Sequence, residues 1–565
     1  MKFSRLADYF KKLEETSSRN AMIEILAELF RRASNVEIGE ICYLLCGRVV
    51  PLYEAIEFGV ADKFVMRAIA RAYGKRPEEV LRTFKKVGDL GTAAEALHKG
   101  KGTIASVVDV YKKLYAIATH GGVGSQEKKI ALLSELFSSV DALSARYLAR
   151  IPLDKLRLGF SDTTILDALS WMQTGDKSLR PQLEGAYNVR PDIGLLAQTV
   201  KEKGTNGLGT VKVKVGAPIL AALCQRLGSS DEMIKKMGKV AVEPKYDGVR
   251  VQIHFQKSGV KTFSRNLENT TDMFPELSEV GKQLHAQDVI LDSEAVGYDA
   301  KTGRLFSFQK TTTRKRKHDI ESMRAKVPLK FFVFDILYKD GRDLLSLSLS
   351  DRRSILEATV KNGNLLMISP QIVTEDAGQI REYHDEQIKK GLEGVVVKKW
   401  ESSYEPGRRG YNWVKYKEEG RIGKLTDTID AVVMGYYRGE GKRAGFGIGA
   451  FLVGVRKGDS FVTVTKIGTG VSDALWKDLR MKLNVIKVSK QPKEYLDVSK
   501  LLIPDVWVTP GIVVELAGDD LTKSPNHGAG IGVRFPRLVR IRTDKSPEQA
   551  TTVREVEEMY KSQGR

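Results

Sequence analysis

Apolar residues recur at helical spacing through most of the first two hundred positions. Leu6, Phe10 and Leu13 form one stripe. Ile25, Leu26, Leu29 and Phe30 form a second, with Asn20 as the expected N-cap. IASVVDVYKKLYAIA and KKIALLSELFSSVDALSARYLARI continue the pattern, and glycine-rich breaks such as THGGVGSQ separate the helices. Near residue 211 the period changes. In VRVQIHFQ, Val249, Val251, Ile253 and Phe255 alternate with other positions and fall on one strand face. DVILDSEAVGYD, LKFFVFDILY and EGVVVKKW read as further strands, and FPELSEVGKQLHA and DAGQIREYHDEQIKK as helices. From about residue 421 short strands and glycine turns take over: TIDAVVMGYY, a hairpin turning from Lys457 to Ser460, WVTPGIVVELAG and RLVRIR. One helix, DALWKDLRMKLN, lies among them.

The pattern predicts a multidomain chain: a helical domain over 1–210, a mixed α/β domain over 211–420, and a small barrel over 421–565. Short strands with a single helix suit a barrel of the oligonucleotide-binding (OB) type. A length of 565 residues is too great for one core and agrees with that division. With 42% hydrophobic and 29% charged residues the chain reads as globular. A formal net charge of +20 points to a polyanionic partner, because a basic surface attracts phosphates and releases their counterions. Cys42, Cys46 and Cys224 are too few for a disulfide framework or a four-thiolate zinc site, and a reducing compartment is expected. Cys42 and Cys46 are expected as buried helix residues. The N-terminal MKFSRLADYFKKLEE lacks the apolar segment of a signal peptide, and no run of 18 apolar residues predicts a membrane span.

The chemistry begins at VEPKYDGVR, which holds Glu243, Lys245, Asp247, Gly248 and Arg250. A lysine at a strand end, followed by Asp and a glycine turn, places an amine in a cleft beside a carboxylate. To act as a nucleophile the amine must be neutral, so burial or nearby cations are expected to lower its pKa. Taken alone, the same lysine reads equally as an exposed residue before a turn.

Other motifs follow in order: FSRN with Arg265, LDSEAV with Asp292 and Glu294, FVFDILY with Phe334, LEGVVVK with Glu393 and Lys398, NWVKYK with Trp413, Lys415 and Lys417, and FPRLVRIRTDKSPEQATT with Arg540, Arg542, Asp544 and Lys545. With KYDGVR, this ordered set resembles the covalent nucleotidyltransferases, and within them the ATP-dependent DNA ligases of archaeal and eukaryotic replicative type. LRLGFSDTTILDAL also resembles their helical DNA-binding domain, so the likeness covers nearly the whole chain. It implies a helical DNA-binding domain, an adenylation domain and a C-terminal OB barrel. The implied activity is sealing of nicks in duplex DNA through a lysyl-AMP intermediate and a DNA-adenylate.

The resemblance assigns roles residue by residue. Lys245 is the implied nucleophile, with Lys415 and Lys417 on one strand face neutralising the α-phosphate. Glu243, Arg250, Arg265, Glu294, Phe334, Arg542 and Lys545 are implied nucleotide contacts: Phe334 against adenine, Glu243 on its amino group, Glu294 on the ribose, Arg542 and Lys545 on the pyrophosphate. Glu393, Glu294 and Asp247 are implied ligands for Mg²⁺, with Mn²⁺ also suited. Lys398 is assigned to the later steps. Arg265 is also matched to the 5′-phosphate of the nick, and Arg314 and Arg316 in QKTTTRKRKHD to DNA phosphates. Gly121, Gly122 and Gly124 would let main-chain N–H groups approach the DNA backbone. The expected partner is nicked double-stranded DNA, met by a monomer in the cytosol of a prokaryote. A sliding clamp is a further candidate partner, although no clamp-binding motif stands out.

Rival readings share only parts of this pattern. An NAD-dependent ligase would carry a cysteine zinc site. A capping guanylyltransferase or RNA ligase would not explain the first domain. A non-catalytic scaffold would not need Lys245, Glu393, Lys415 and Lys417 together.

Overall fold

The computed structural model describes residues 1–16, 18–100, 105–156, 158–315, 324–417, 428–439, 446–469, 471–518 and 520–562, apart from the side chains of Gln309, Lys315, Arg409 and Lys417. Two compact units are present. The first comprises Met1, Ser18–Glu57 and Ser161–Glu418, and the second Lys2–Ser17, Phe58–Phe160 and Glu419–Arg565. The helical segment therefore contributes to both units. No helix among the described residues is long and apolar enough to cross a membrane.

In the first unit, helix Arg19–Arg32 buries Met22, Ile23, Leu26, Leu29 and Phe30. Its N-cap is Ser18, whose hydroxyl accepts from the Ala21 N–H; the expected Asn20 lies inside the first turn. Helix Asn35–Leu45 carries buried Cys42, and Cys46 caps its end; both thiols are free.

Two sheets follow. The strands are β1 (Leu223–Arg226), β2 (Val240–Pro244), β3 (Val249–Gln256), β4 (Gly259–Ser264), β5 (Asp288–Gly297), β6 (Leu329–Lys339), β7 (Arg342–Asp343), β8 (Leu366–Ile368), β9 (Ile372–Thr374), β10 (Gly394–Lys399) and β11 (Arg409–Lys417). One sheet has the order β1-β11-β10-β2-β9; the other runs β4-β3-β5-β6-β7, with β8 paired to β6. β10 is bonded on both sides and its valines pack beneath: Val395 and Val397 are buried with Val240, Val242 and Val414. In the second sheet Val251, Ile253, Leu291, Phe331 and Val333 share a core. The expected helix around FPELSEVGKQLHA is instead a 3₁₀ segment, Pro275–Gln283, which buries Leu277 and Val280.

In the second unit, helices Phe3–Glu15, Val107–Thr119, Ser125–Ser139 and Ala142–Arg150 bury their apolar stripes, as the periodicity predicts. The β-rich part contains β12 (Ile429–Tyr437), β13 (Ala450–Lys457), β14 (Ser460–Ile467), β15 (Lys487–Val488), β16 (Tyr495–Leu496), β17 (Val506–Val508), β18 (Val513–Ala517), β19 (Asp520–Lys523), β20 (Ile531–Arg534) and β21 (Arg537–Arg542). The hairpin turns where expected, with Lys457 opposite Ser460. β12 pairs with β13, β17 and β18, and β18 in turn pairs with β21. Helix Asp473–Val485 inserts Trp476, Leu479 and Leu483 into the core these strands share.

Candidate active site

Lys245 follows the last residue of β2 and is stitched to the start of β10. Its N–H donates to the Gly394 carbonyl at 2.9 Å, and its own carbonyl accepts from the Glu393 N–H at 3.3 Å. This backbone exchange places the Lys245 ammonium directly on the Glu393 carboxylate. Burial acts to lower the pKa of the amine, but Glu393, and more weakly Glu294, outweigh it, so the net shift is upward. The expectation of a lowered pKa is thus corrected for the ligand-free protein: the amine is held charged.

Further carboxylates lie near the same amine. Burial raises the Asp247 pKa, and Glu393 beside it adds to the rise, while one Asp247 oxygen accepts the Phe308 N–H at 2.9 Å. Burial also carries Glu294 up to about 7, against the pull of Lys245 and Arg250. Glu294 stands on β5 directly opposite Arg250 on β3. Gly248 is what allows β5 so close. A Cβ there would lie 2.5 Å from the Ala295 carbonyl oxygen and 2.9 Å from Glu294 Cγ.

Register brings the remaining residues together. Glu243 on β2, Val396 on β10 and Lys415 on β11 form one cross-strand row. Lys417 lies two positions further along β11, opposite Gly394, and its side chain is outside the described residues. Lys398 and Trp413 are also direct partners. The Lys398 ammonium is fully buried. It donates to Glu243 Oε1 at 2.7 Å and to the Phe334 carbonyl at 3.1 Å. Its Nζ also lies 4.6 Å from the Phe334 ring centre and 4.4 Å from that of Trp413. Phe334 is half-buried and meets Trp413 edge to face at 6.0 Å. Phe332, two positions back, packs into the interior, stacked on Tyr246.

Several expected contacts are occupied by protein groups. Arg250, assigned to the nucleotide, is bidentate on Asp292 at 3.0 and 2.6 Å and also donates to the Ala222 carbonyl. Tyr404 donates to the same Asp292 at 2.8 Å. Arg314, expected on DNA phosphate, is corrected. It is 4% exposed, its Nη2 lies within 2.8 Å of both Glu276 oxygens, and it is not a surface cation. Arg316 lies outside the described residues. Arg265 is exposed in the tight turn after β4. Gly121, Gly122 and Gly124 are all exposed. Gly122 (φ +87°) and Gly124 (φ +78°) take left-handed backbone just before helix Ser125–Ser139.

In the second unit, Arg542 and Lys545 share a carboxylate. Arg542 Nη1 reaches the two Asp430 oxygens at 2.9 and 3.0 Å, and Lys545 Nζ reaches one of them at 2.6 Å. Asp430, Tyr404 and the buried pair Arg352–Asp335 were not singled out from the sequence; Asp430 and Tyr404 have partners over a hundred residues away, which no local spacing marks, and Arg352 and Asp335, 17 residues apart, meet only because the helix after β7 packs on β6.

Among the described residues no three His, Cys, Asp or Glu side chains are grouped so as to hold a metal ion by themselves. The hard oxygens of Asp247, Glu294 and Glu393 around Lys245 do suit a cation that completes its shell with water and phosphate oxygens.

Three family models match the chain: the DNA ligase N terminus over residues 2–170, the ATP-dependent DNA ligase domain over 218–417, and the ATP-dependent DNA ligase C-terminal region over 444–545. A probable DNA ligase of Dictyoglomus thermophilum is 45% identical over 574 residues, covering 100% of this chain and 98% of its own. DNA ligase 1 of Methanosarcina mazei is 38% identical over 578 residues, covering 99% of both chains. The solved structure Pmar-Lig_Pre. covers 96% of this chain and 99% of its own at 17% identity, with a TM-score of 0.54, and shares the fold. The helical N-terminal region, the central adenylation domain and the β-rich C-terminal region thus belong together as one enzyme, and the chain is a member of the ATP-dependent DNA ligase family, whose general function is to seal nicks in DNA.

Proposed function

We propose that nick sealing by this chain runs through Lys245. The neutral amine attacks the α-phosphate of ATP, the bond to the β-phosphate breaks, pyrophosphate leaves, and AMP remains on Nζ as a phosphoramidate. AMP then passes to the 5′-phosphate of the nick, and the 3′-hydroxyl attacks that phosphate and expels AMP. Phosphoryl chemistry of this kind depends on position and charge neutralisation more than on covalent assistance. The observation that carries the reading is the Lys245–Glu393 pair with the carboxylates of Asp247 and Glu294 beside it.

Glu393, Glu294 and Asp247 would hold Mg²⁺ or Mn²⁺, and such an ion supplies charge neutralisation at the phosphates. A cation held by Glu393 would offset the negative charge that keeps the Lys245 amine protonated. Lys415 and Lys417 neutralise the α-phosphate. Phe334 offers its ring to adenine, Glu243 accepts from the adenine amino group, and Glu294 takes the ribose. Arg250 acts through Asp292, bracing β3 against β5 beside the nucleotide. Arg542 and Lys545 meet the pyrophosphate once the barrel is carried to the cleft. Lys398 holds the Glu243 carboxylate in place through the later steps.

We assign DNA grip to residues 1–210, adenylation to 211–420 and the OB barrel to 421–565. Arg265 and the N–H groups around Gly121, Gly122 and Gly124 serve phosphates rather than bases, because a nick sealer must disregard sequence. The enzyme acts as a monomer in the cytosol, with a sliding clamp as a candidate recruiter.

Incubation with α-labelled ATP tests the reading. The protein should gain an acid-stable label on residue 245 and lose it to nicked duplex, and Lys245→Ala should take up none. Label on another side chain, or none, would overturn it.

A further inference from the structure

The barrel carries a charged ladder that nothing in the motif order announces. Asp430 on β12 stands directly opposite Glu515 on β18, and Glu515 stands opposite Arg540 on β21. Two carboxylates facing each other across a strand pair repel. The arrangement makes physical sense if cations lie between them, and they do. Arg540 Nε donates to Glu515 at 2.6 Å, and Thr428 donates to the other Glu515 oxygen at 2.8 Å. Arg542 Nη1 reaches both Asp430 oxygens, while its Nε and Nη2 are clamped by Asp544 at 2.8 and 2.7 Å. Lys545 Nζ takes Asp430 at 2.6 Å.

The two cations differ in what they have left to offer. The Arg542 side chain is 12% exposed, and each of its three nitrogens already donates to a carboxylate. The Lys545 side chain is 32% exposed, and an ammonium has three N–H donors, so it keeps donors beyond the Asp430 contact. Lysine is also the more flexible of the two, with a compact charge on a four-carbon stem that needs a fixed point to be aimed.

We propose that Asp430 is a positioning residue for adenylation: through Arg542 as a brace, it holds the Lys545 ammonium where the barrel presents it to the pyrophosphate of ATP. The inference deepens the proposed function and rests on its assignment of Lys545 to pyrophosphate. It refines that assignment, because Lys545 becomes the phosphate contact and Arg542 its support.

The test exploits a chemical asymmetry. Pyrophosphate takes part when Lys245 is adenylylated and when added pyrophosphate discharges the AMP-enzyme, but not when the 3′-hydroxyl attacks a pre-adenylylated nick. Asp430→Asn in the full-length chain keeps the backbone bonds by which residue 430 engages Thr551. It should raise the KM for ATP in self-adenylation roughly tenfold, as expected for a lost charge-assisted contact. The pyrophosphate concentration that discharges the AMP-enzyme should rise similarly, while sealing of a synthetic adenylylated nick stays within about twofold of the parent. Unchanged adenylation, faster adenylation, or an equal loss in both reactions would each overturn the proposal; the last would mark Asp430 as a purely structural residue. Lys545→Ala is run in parallel. If it adenylylates normally, the pyrophosphate reading itself fails. If it is impaired while Asp430→Asn is not, only the present inference falls. Thermal melting of both variants confirms that the folded protein is being compared.

Discussion

At Lys245 the contest between burial and the Glu393 carboxylate decides the charge on the amine. Burial favours the neutral form, but a carboxylate in contact favours the ammonium and prevails. Because the folded pKa lies above the ordinary lysine value, the pair adds stability at neutral pH. That contribution is lost only as pH rises through the titration of the lysine itself. Glu393→Gln should therefore move downward the pH at which Lys245 in the ligand-free protein begins to react with an amine-selective acylating reagent, followed by peptide mass spectrometry. An unmoved midpoint would mean that burial alone sets the amine. The sequence made the lysine legible through its KYDG context, but it could not give the charge state. Glu393 is 148 residues away in the chain, and only the pairing of β2 with β10 brings it into contact. The same distance hid the fate of Arg314. A basic run looks solvated, and nothing in TTTRKRKHD says that one member turns inward to Glu276.

At the scale of elements, the site depends on how closely β5 can approach the turn after Lys245. Gly248 is tolerated there for want of a side chain, not for any unusual backbone. An added methyl group would collide with the Ala295 carbonyl and with Glu294. Gly248→Ala should displace Glu294 from the amine and lower the rate of self-adenylation by roughly a hundredfold, since an ångström of misplacement suffices for such a loss. Single-turnover labelling at saturating ATP reads this directly, and a rate within twofold of the parent would show that β5 yields without consequence. Alternation along VRVQIHFQ made β3 legible, and the short apolar run in DVILDSEAVG, buried on both faces, marked β5 as a strand. Their register was not, because a period of two fixes which face a residue takes but not which residue lies opposite. The 3₁₀ segment at Pro275–Gln283 was misread for a related reason. FPELSEVGKQ carries apolar spacing that a 3₁₀ segment uses as readily as an α-helix does.

For the whole molecule the governing quantity is charge. A net +20 distributed over a chain that must grip any nick predicts affinity set by phosphates rather than bases. The dissociation constant for nicked duplex should rise by roughly a thousandfold between 50 and 200 mM salt, with sequences of different composition falling on the same line in a fluorescence titration. A shallow slope, or a marked preference among sequences, would contradict backbone grip. Three successive textures were visible along the chain, and the family models fall within them. The division of the helices was not visible. Residues 58–160 cluster with the barrel segment and residues 18–57 with the sheets, although the helical periodicity runs through both. Amphipathic spacing says that a helix has a face to bury; it is silent on which neighbour receives it.

On the proposed role of Lys245 as AMP carrier, its reciprocal hydrogen bonds with the Glu393–Gly394 peptide limit how far the adenylyl group can travel. With its main chain fastened to the central strand of a sheet, residue 245 cannot follow its cargo by swinging a loop. Any journey of AMP relative to the sheet is confined to the arc swept by four methylenes. The 5′-phosphate must therefore be delivered within that short radius, so it is the DNA, and not the loaded lysine, that has to be brought to the right place.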